Sequence, residues 1–296
     1  MASRRRPRWM AGHSSSPEQW AASRMLPAKT RTRSAREVVE AALCRVGLYR
    51  PLRAVYHRAL KPGNVESRRR DREFFRAFVP HGGLAFDIGA NIGHRTEAFL
   101  ALGARVVAVE PNPALSRRVE RRLRSSRLTV LSAAVGAEPG RAELHLGISH
   151  VYSTLSSEWI ARVHDAEADE RWAGTIMVDV ATLDGLIDRY GSPEFVKIDV
   201  EGFEVEVLRG LTRAVPAMSF EFQRSALDMT RDCVDMVDRL GTYEYNFTPP
   251  ERLEFALDEW TDSGTLLERL DAFRQDPVNS YGDVYARRPL RPMAAG

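Results

Sequence analysis

The chain has 296 residues, 44% of them hydrophobic and 28% charged, the balance of a folded protein with room for one sizeable core and an appendage. Its two cysteines, Cys44 and Cys233, lie far apart; this excludes a disulfide framework and zinc-ligand spacing and makes a reducing, cytoplasmic setting the expectation, while no apolar run approaches the ~18 residues of a membrane span. The net charge of +3 is unevenly spread: residues 1–36 carry nine basic side chains against Glu18 alone, leaving 34 basic and 39 acidic residues in the rest.

Three regions follow in chain order. Residues 1–33 read as a basic disordered tail, because an arginine-rich, acid-poor stretch without apolar periodicity has little to bury. The same composition suits an organellar transit peptide or contact with an anionic partner, and both stay open as alternatives. Residues 34–82 read as a helical segment. Ser34 and Glu37 form a capping box, Val38, Val39, Ala42, Leu43 and Val46 repeat at helical spacing, and Gly47 can end that helix. A second helix is expected over 70–78, with Phe74, Phe75 and Phe78 turned toward the body. From Gly83 to the end, short apolar runs alternate with amphipathic stretches. The runs "LAFDI", "RVVAVE", "LTVL", "FVKIDV" and "AMSFEF" are expected strands, separated by helical segments such as "RTEAFLALG" and Pro113 to Arg124. That alternation predicts an α/β fold, a mostly parallel sheet with helices on both faces. "RAELHLGI" and "TIMVDVATL" alternate differently and suggest an antiparallel addition.

"FDIGANIGHRT", Phe86 to Thr96, is the first strand-to-helix turn, where ligands bind in open α/β sheets. Gly89, Ala90, Asn91 and Gly93 make it bare. A dinucleotide fingerprint would need glycines at positions held by Asn91 and His94, and no G-K-[ST] phosphate loop is present. Asp87 would repel a pyrophosphate but suits a cationic ligand, which points to S-adenosylmethionine, a sulfonium and ammonium compound without phosphate. Glu110 ends the second strand 21 positions after Gly89, about where an acidic residue holds a ribose diol. Ser132, just beyond the third strand, falls where the adenine is expected.

With these residues in view, "FDIGANIGHRT", "VVAVEPNP", "TLDGLI", "FVKIDVEGFEVEVLRG" and "SFEFQ" together resemble the FkbM-type methyltransferases, a branch of the S-adenosylmethionine-dependent class I fold. The resemblance runs from about Phe74 to "GDVYARR". It implies a Rossmann-like sheet of seven strands with the last antiparallel, and O-methylation of a hydroxyl on a small molecule or sugar. The family's cofactor positions fall on Asp87, Gly89, Asn91, Gly93 and Glu110.

In-line transfer from a sulfonium needs an aligned nucleophile and a place for the hydroxyl proton. Asp199, at the end of "FVKIDV", and Glu201 share a direction if the strand runs that far. One carboxylate would orient the donor's ammonium while the other acts as base; alternatively Glu201 and Glu204 only complement a helix N-terminus. Glu221, ending "SFEF", is the third candidate, with His94 behind it. These carboxylates lack tight metal-ligand spacing, so no metal is expected. Lys197, inside the strand, is expected to be structural or to pair with a local charge. Tyr152, Trp159 and Trp172 lie between the two added strands, where they would either close over an acceptor or belong to a surface insertion. The partner expected is a small-molecule hydroxyl acceptor. A nucleic-acid substrate is disfavoured because the body is acidic and lacks N/D-P-P-[YF]; that activity and a non-catalytic cofactor-binding module stay as rivals.

Overall fold

A computed structural model describes residues 63–147, 153–162, 172–223, 226–249, 253–273 and 281–289. The expected basic tail, the helix at Ser34 and Tyr152 lie outside these residues. Pro62–Gly296 forms one compact unit.

Helix α1 spans Gly63–Phe75, starting earlier than the phenylalanine pattern suggested. Strand β1 (Leu84–Ile88) is buried along its whole length, as a central parallel strand covered on both faces must be. It leads through the glycine turn into α2 (His94–Ala101) and then β2 (Arg105–Val109). Helix α3 (Pro113–Arg122) begins where Asn112 caps it, its side chain accepting from the Ala114 N–H at 2.9 Å, with proline in the first turn; Leu115 and Val119 are buried. After β3 (Leu128–Leu131) come the short β4 (Ala134–Val135), β5 (Gly140–Gly147), α4 (Ser157–Arg162) and β6 (Trp172–Ala181). Thr182 caps α5 (Leu183–Tyr190), and β7 (Phe195–Ile198), α6 (Glu204–Arg209), β8 (Ala217–Gln223), α7 (Leu227–Leu240), β9 (Glu244–Thr248), α8 (Ser263–Phe273) and β10 (Tyr281–Arg287) complete the chain.

The main sheet has seven strands in the order β3-β2-β1-β7-β8-β10-β9. The last strand in sequence, β10, pairs antiparallel with both β8 and β9, while β3, β2, β1, β7 and β8 are mutually parallel. This is the expected Rossmann-like class I methyltransferase topology. The alternating segments around the insertion pair antiparallel as β5 and β6, and β4 joins them in a separate three-stranded sheet.

Period-two alternation divides the core. Phe86, Ile88, Val196, Ile198, Phe220 and Val284 share one cluster with residues of α5, α6 and α7. Ala85, Val106, Phe195, Ala217 and Tyr285 share another with Phe75, Phe78 and Phe99. The phenylalanines of the α1 region therefore face the sheet as expected; Phe78 stacks on Phe195 with centroids 5.1 Å apart. The second face also carries a polar row. Asp87, Lys197, Ser219, Tyr285 and Asn246 are register partners across five strands, and all are buried.

Candidate functional site

The carboxyl ends of β1, β2 and β7 meet at a cleft lined by Gly89, Asn91, Glu110, Val135, Asp199, Glu201 and Phe203, among others. The glycine turn is pinned at its base, where the Gly89 and Ala90 N–H groups donate to the Val109 carbonyl at 2.9 and 3.0 Å. Gly89 adopts φ +78, and a Cβ there would stand 1.8 Å from the Asp199 carbonyl oxygen. The turn is thus bare partly because the end of β7 occupies the space. Arg122 from α3 braces the same turn, donating to the Ile92 and Gly93 carbonyls at 2.8 and 2.9 Å.

Glu110 follows β2 and is buried at the cleft's edge. Its Oε2 accepts from the Asn91 N–H at 2.8 Å and its Oε1 from the Asn112 N–H at 2.9 Å. Burial pushes its carboxyl up to about 7 despite those two donors, which favour the anion. Each oxygen keeps acceptor capacity, as a diol ligand requires.

Asp87 is placed differently from a ligand-facing acid. It is 2% exposed, it accepts from Thr96 Oγ1 at 2.5 Å, and burial raises its carboxyl although Lys197 opposes the shift. Gly93 caps α2 against Val119 and Leu123. Ser132 accepts from the Ser116 hydroxyl at 3.2 Å, while Ala133, Ala134 and Val135 line the cleft beside it.

The candidate catalytic carboxylates come together: one oxygen from each of Asp199, Glu201 and Glu221 lies within 4.8 Å of the other two. The route differs from the expected one. Strand β7 ends at Ile198, so Asp199 and Glu201 do not share a strand face. Glu201 instead has a left-handed backbone, φ 54, followed by Gly202 at φ 84, and this turn directs its carboxylate. Lys197, 3% exposed, donates to Asp199 Oδ2 at 2.6 Å. Burial works against its charge, and Asp199, Asp283 and Asp87 outweigh burial, so its ammonium is favoured. Burial, with Asp199 and Glu204 adding, pushes Glu201 up to about 9. Burial, Asp199 and Glu201 raise Glu221 well above the carboxylate range. Three oxygens so spaced are also ligands a hard cation takes, and the Lys197 ammonium sits beside the cluster on Asp199 Oδ2. His94 is exposed at the start of α2 and does not line the cleft. Trp159 does not reach toward an acceptor: it is 5% exposed and packs against Gly202.

These raised carboxyls contribute a component of stability that is expected to fall as pH rises. Glu110, Glu201 and Glu204 hold protons in the folded chain to about 7, 9 and 7, against an ordinary value of 4.5. Between those limits the folded state binds more protons than the unfolded, so raising pH favours unfolding, by about 1.4 kcal/mol per pH unit for each such proton. Urea unfolding midpoints are expected to fall from mildly acid pH to about pH 9, and Glu201→Gln to flatten the alkaline part. A midpoint that rises over that window would contradict these assignments.

Sequence reasoning missed the roles of Arg122, Thr96 and Thr154. Thr96 closes the glycine-turn motif but carries no signal of its bond to Asp87, the other two stand in no recognised motif, and each acts through contacts 9 to 47 positions away.

The family model described as the methyltransferase FkbM domain matches residues 87–249. A curated relative, the hexuronic acid methyltransferase AglP of Haloferax volcanii, is 27% identical over 139 residues, 46% of this chain and 53% of that protein. The match thus spans about half of the relative's length. Among solved structures, a precorrin-6y C5,15-methyltransferase from Geobacter metallireducens aligns with TM-score 0.41 and 14% identity, covering 75% of this chain and 89% of that one. Aeropyrum pernix fibrillarin in complex with S-adenosyl-L-methionine aligns with TM-score 0.36 and 10% identity, covering 71% and 68%. Among the described residues, no helix is long and apolar enough to cross a membrane.

Proposed function

Since this chain belongs to the FkbM methyltransferase family, we propose that it transfers a methyl group from S-adenosylmethionine to a hydroxyl of a small polyhydroxylated acceptor, such as a sugar. The observation that carries this reading is the placement, around one cleft, of a buried carboxylate with free acceptor capacity opposite a carboxylate cluster. Glu110 stands on the glycine-turn side; Asp199 and Glu201 line the other, with Glu221 clustered beside them. In the proposed arrangement the Glu110 oxygens accept from the ribose hydroxyls. Gly89, Ala90, Asn91 and Gly93 shape the bed of the donor, and Asp87 holds that turn through Thr96. Residues 133–135, beyond Ser132, flank the adenine. Asp199 orients the donor's ammonium or takes the acceptor's proton, and Glu201 and Glu221 bind acceptor hydroxyls. A protonated carboxyl both donates and accepts, which suits a polyol. Lys197 supplies the local positive charge, and the reaction proceeds without a metal.

The name of the AglP relative directs the first choice of acceptor toward uronic-acid sugars. The test is incubation of the full chain with methyl-labelled donor, EDTA and sugar acceptors, with and without uronic acids, followed by mild alkali. Label that survives alkali marks an ether, as proposed. Alkali-labile label would mark a methyl ester and move the acceptor atom from hydroxyl to carboxyl. Loss of transfer in EDTA would contradict the metal-free reading.

Glu110→Ala removes charged hydrogen bonds to the donor, at about 1.5–3 kcal/mol. Donor affinity is expected to fall roughly tenfold or more by calorimetry. Unchanged affinity would remove Glu110 from the ribose site.

A further inference from the structure

Glu201 is a non-glycine residue in the left-handed region, and its neighbours must hold it there. Residues 153–162, between β5 and β6, pack directly on this turn. Thr154, 0% exposed, donates its hydroxyl to the Glu201 carbonyl at 2.7 Å. Thr154 is itself fixed from both sides. Its backbone exchanges two hydrogen bonds with His145 of β5, at 2.9 and 3.1 Å. The Ser156 N–H donates to its hydroxyl oxygen at 3.0 Å. Ser156 Oγ then accepts from the Trp159 N–H at 2.9 Å, placing the indole where a Cβ on Gly202 would meet it at 2.5 Å. The turn is held at its carbonyl by a hydroxyl and at its next residue by a ring.

We propose that Thr154 and Trp159 are positioning residues, a brace from the β5–β6 insertion that fixes the Glu201 turn and thereby sets the Glu201 carboxylate against Asp199 and Glu221. Relaxing the turn to an ordinary backbone would break the Thr154 bond and displace the ring from Gly202, and the Glu201 carboxylate would leave the cluster. Ser153 and Leu155, on either side of Thr154, line the cleft, so the segment that braces the turn also forms part of the cleft wall. The groups facing Glu201 are Lys197 of β7, Asp199 just beyond it, Glu204 of α6 and Glu221 of β8. From the brace, Thr154, Ser156 and Trp159 bring no charge; Arg162 of α4 donates to Glu158 of the same helix and to Asp228 of α7. The functional meaning of the brace rests on the proposed transfer site. Its test does not, because no donor or acceptor is added.

The experiment is urea unfolding of the full chain across the neutral-to-alkaline range, comparing wild type with Thr154→Val, Thr154→Ser, Glu201→Gln and the Thr154→Val/Glu201→Gln pair. The difference between wild type and Glu201→Gln measures what Glu201 supplies to the pH dependence of the midpoint, expected at about one proton. Thr154→Val is expected to lose that component, because Glu201 then titrates in water; Thr154→Ser is expected to keep it. In the Glu201→Gln background, adding Thr154→Val is expected to lower stability without further change in slope, which is coupling between the two sites. A general loss of packing would lower the curve without flattening it. A Thr154→Val slope equal to that of wild type would overturn the inference, as would equal flattening in both backgrounds. Should Thr154→Val fail to fold, Trp159→Phe carries the same expectations and the same refutations.

Discussion

Gly89→Ala is expected to be far more damaging than another left-handed glycine changed the same way. Gly82 and Gly89 have nearly the same φ, +79 and +78. At Gly82 a new Cβ meets nothing within 4 Å, so Gly82→Ala carries only the left-handed cost, about 1–2 kcal/mol. At Gly89 the same Cβ meets the Asp199 carbonyl oxygen at 1.8 Å and its carbon at 2.8 Å, backbone atoms that cannot step aside alone. Relief means separating the ends of β1 and β7, where the Asp199 N–H donates to the Ile88 carbonyl at 3.0 Å. Total loss is expected to exceed ~4 kcal/mol, the range reserved for named structural faults, with donor binding abolished. Thermal melts of the two variants decide this; equal midpoints would show that the close approach carries no cost.

Asp199→Asn is expected to have the largest effect on chemistry. The substitution keeps shape but removes charge and basicity at the point where the cleft meets the carboxylate cluster. If Asp199 takes the acceptor's proton, the rate is expected to fall about 10²–10⁴-fold with donor affinity nearly unchanged. If it orients the donor's ammonium, affinity falls instead and the maximal rate changes little. The buried Lys197 ammonium also loses the negative charge of its 2.6 Å partner, so a lower thermal midpoint accompanies either result. Initial rates against donor concentration separate the two roles. Full activity with full affinity would exclude both and move the search for a base to Glu201 and Glu221.

The sheet was legible from the chain because its signals are local. The apolar runs of β1, β2, β7 and β8, the glycine turn and the aspartate ending "FVKID" each stand within a few residues of one another. Even the antiparallel β5 and β6 showed through their alternation. What escaped depends on register and on turns. The row Asp87, Lys197, Ser219, Tyr285 and Asn246 exists only once five strands are aligned. Asp199 and Glu201 do share one cluster, but through a left-handed glutamate where the spacing suggested a continued strand. For Trp159 the sequence leaves open closure over an acceptor or a surface insertion; its burial depends on the space above Gly202, a contact 43 residues away. Asp87, expected beside the ligand, accepts from Thr96 at the start of the following helix.

Calorimetric titration of the full-length chain with S-adenosylmethionine, alongside NADH, tests the central claim most directly. Binding of S-adenosylmethionine in the low micromolar range or tighter, about −8 kcal/mol, with no heat from NADH is the result expected of this cleft. Binding of NADH without S-adenosylmethionine would contradict it.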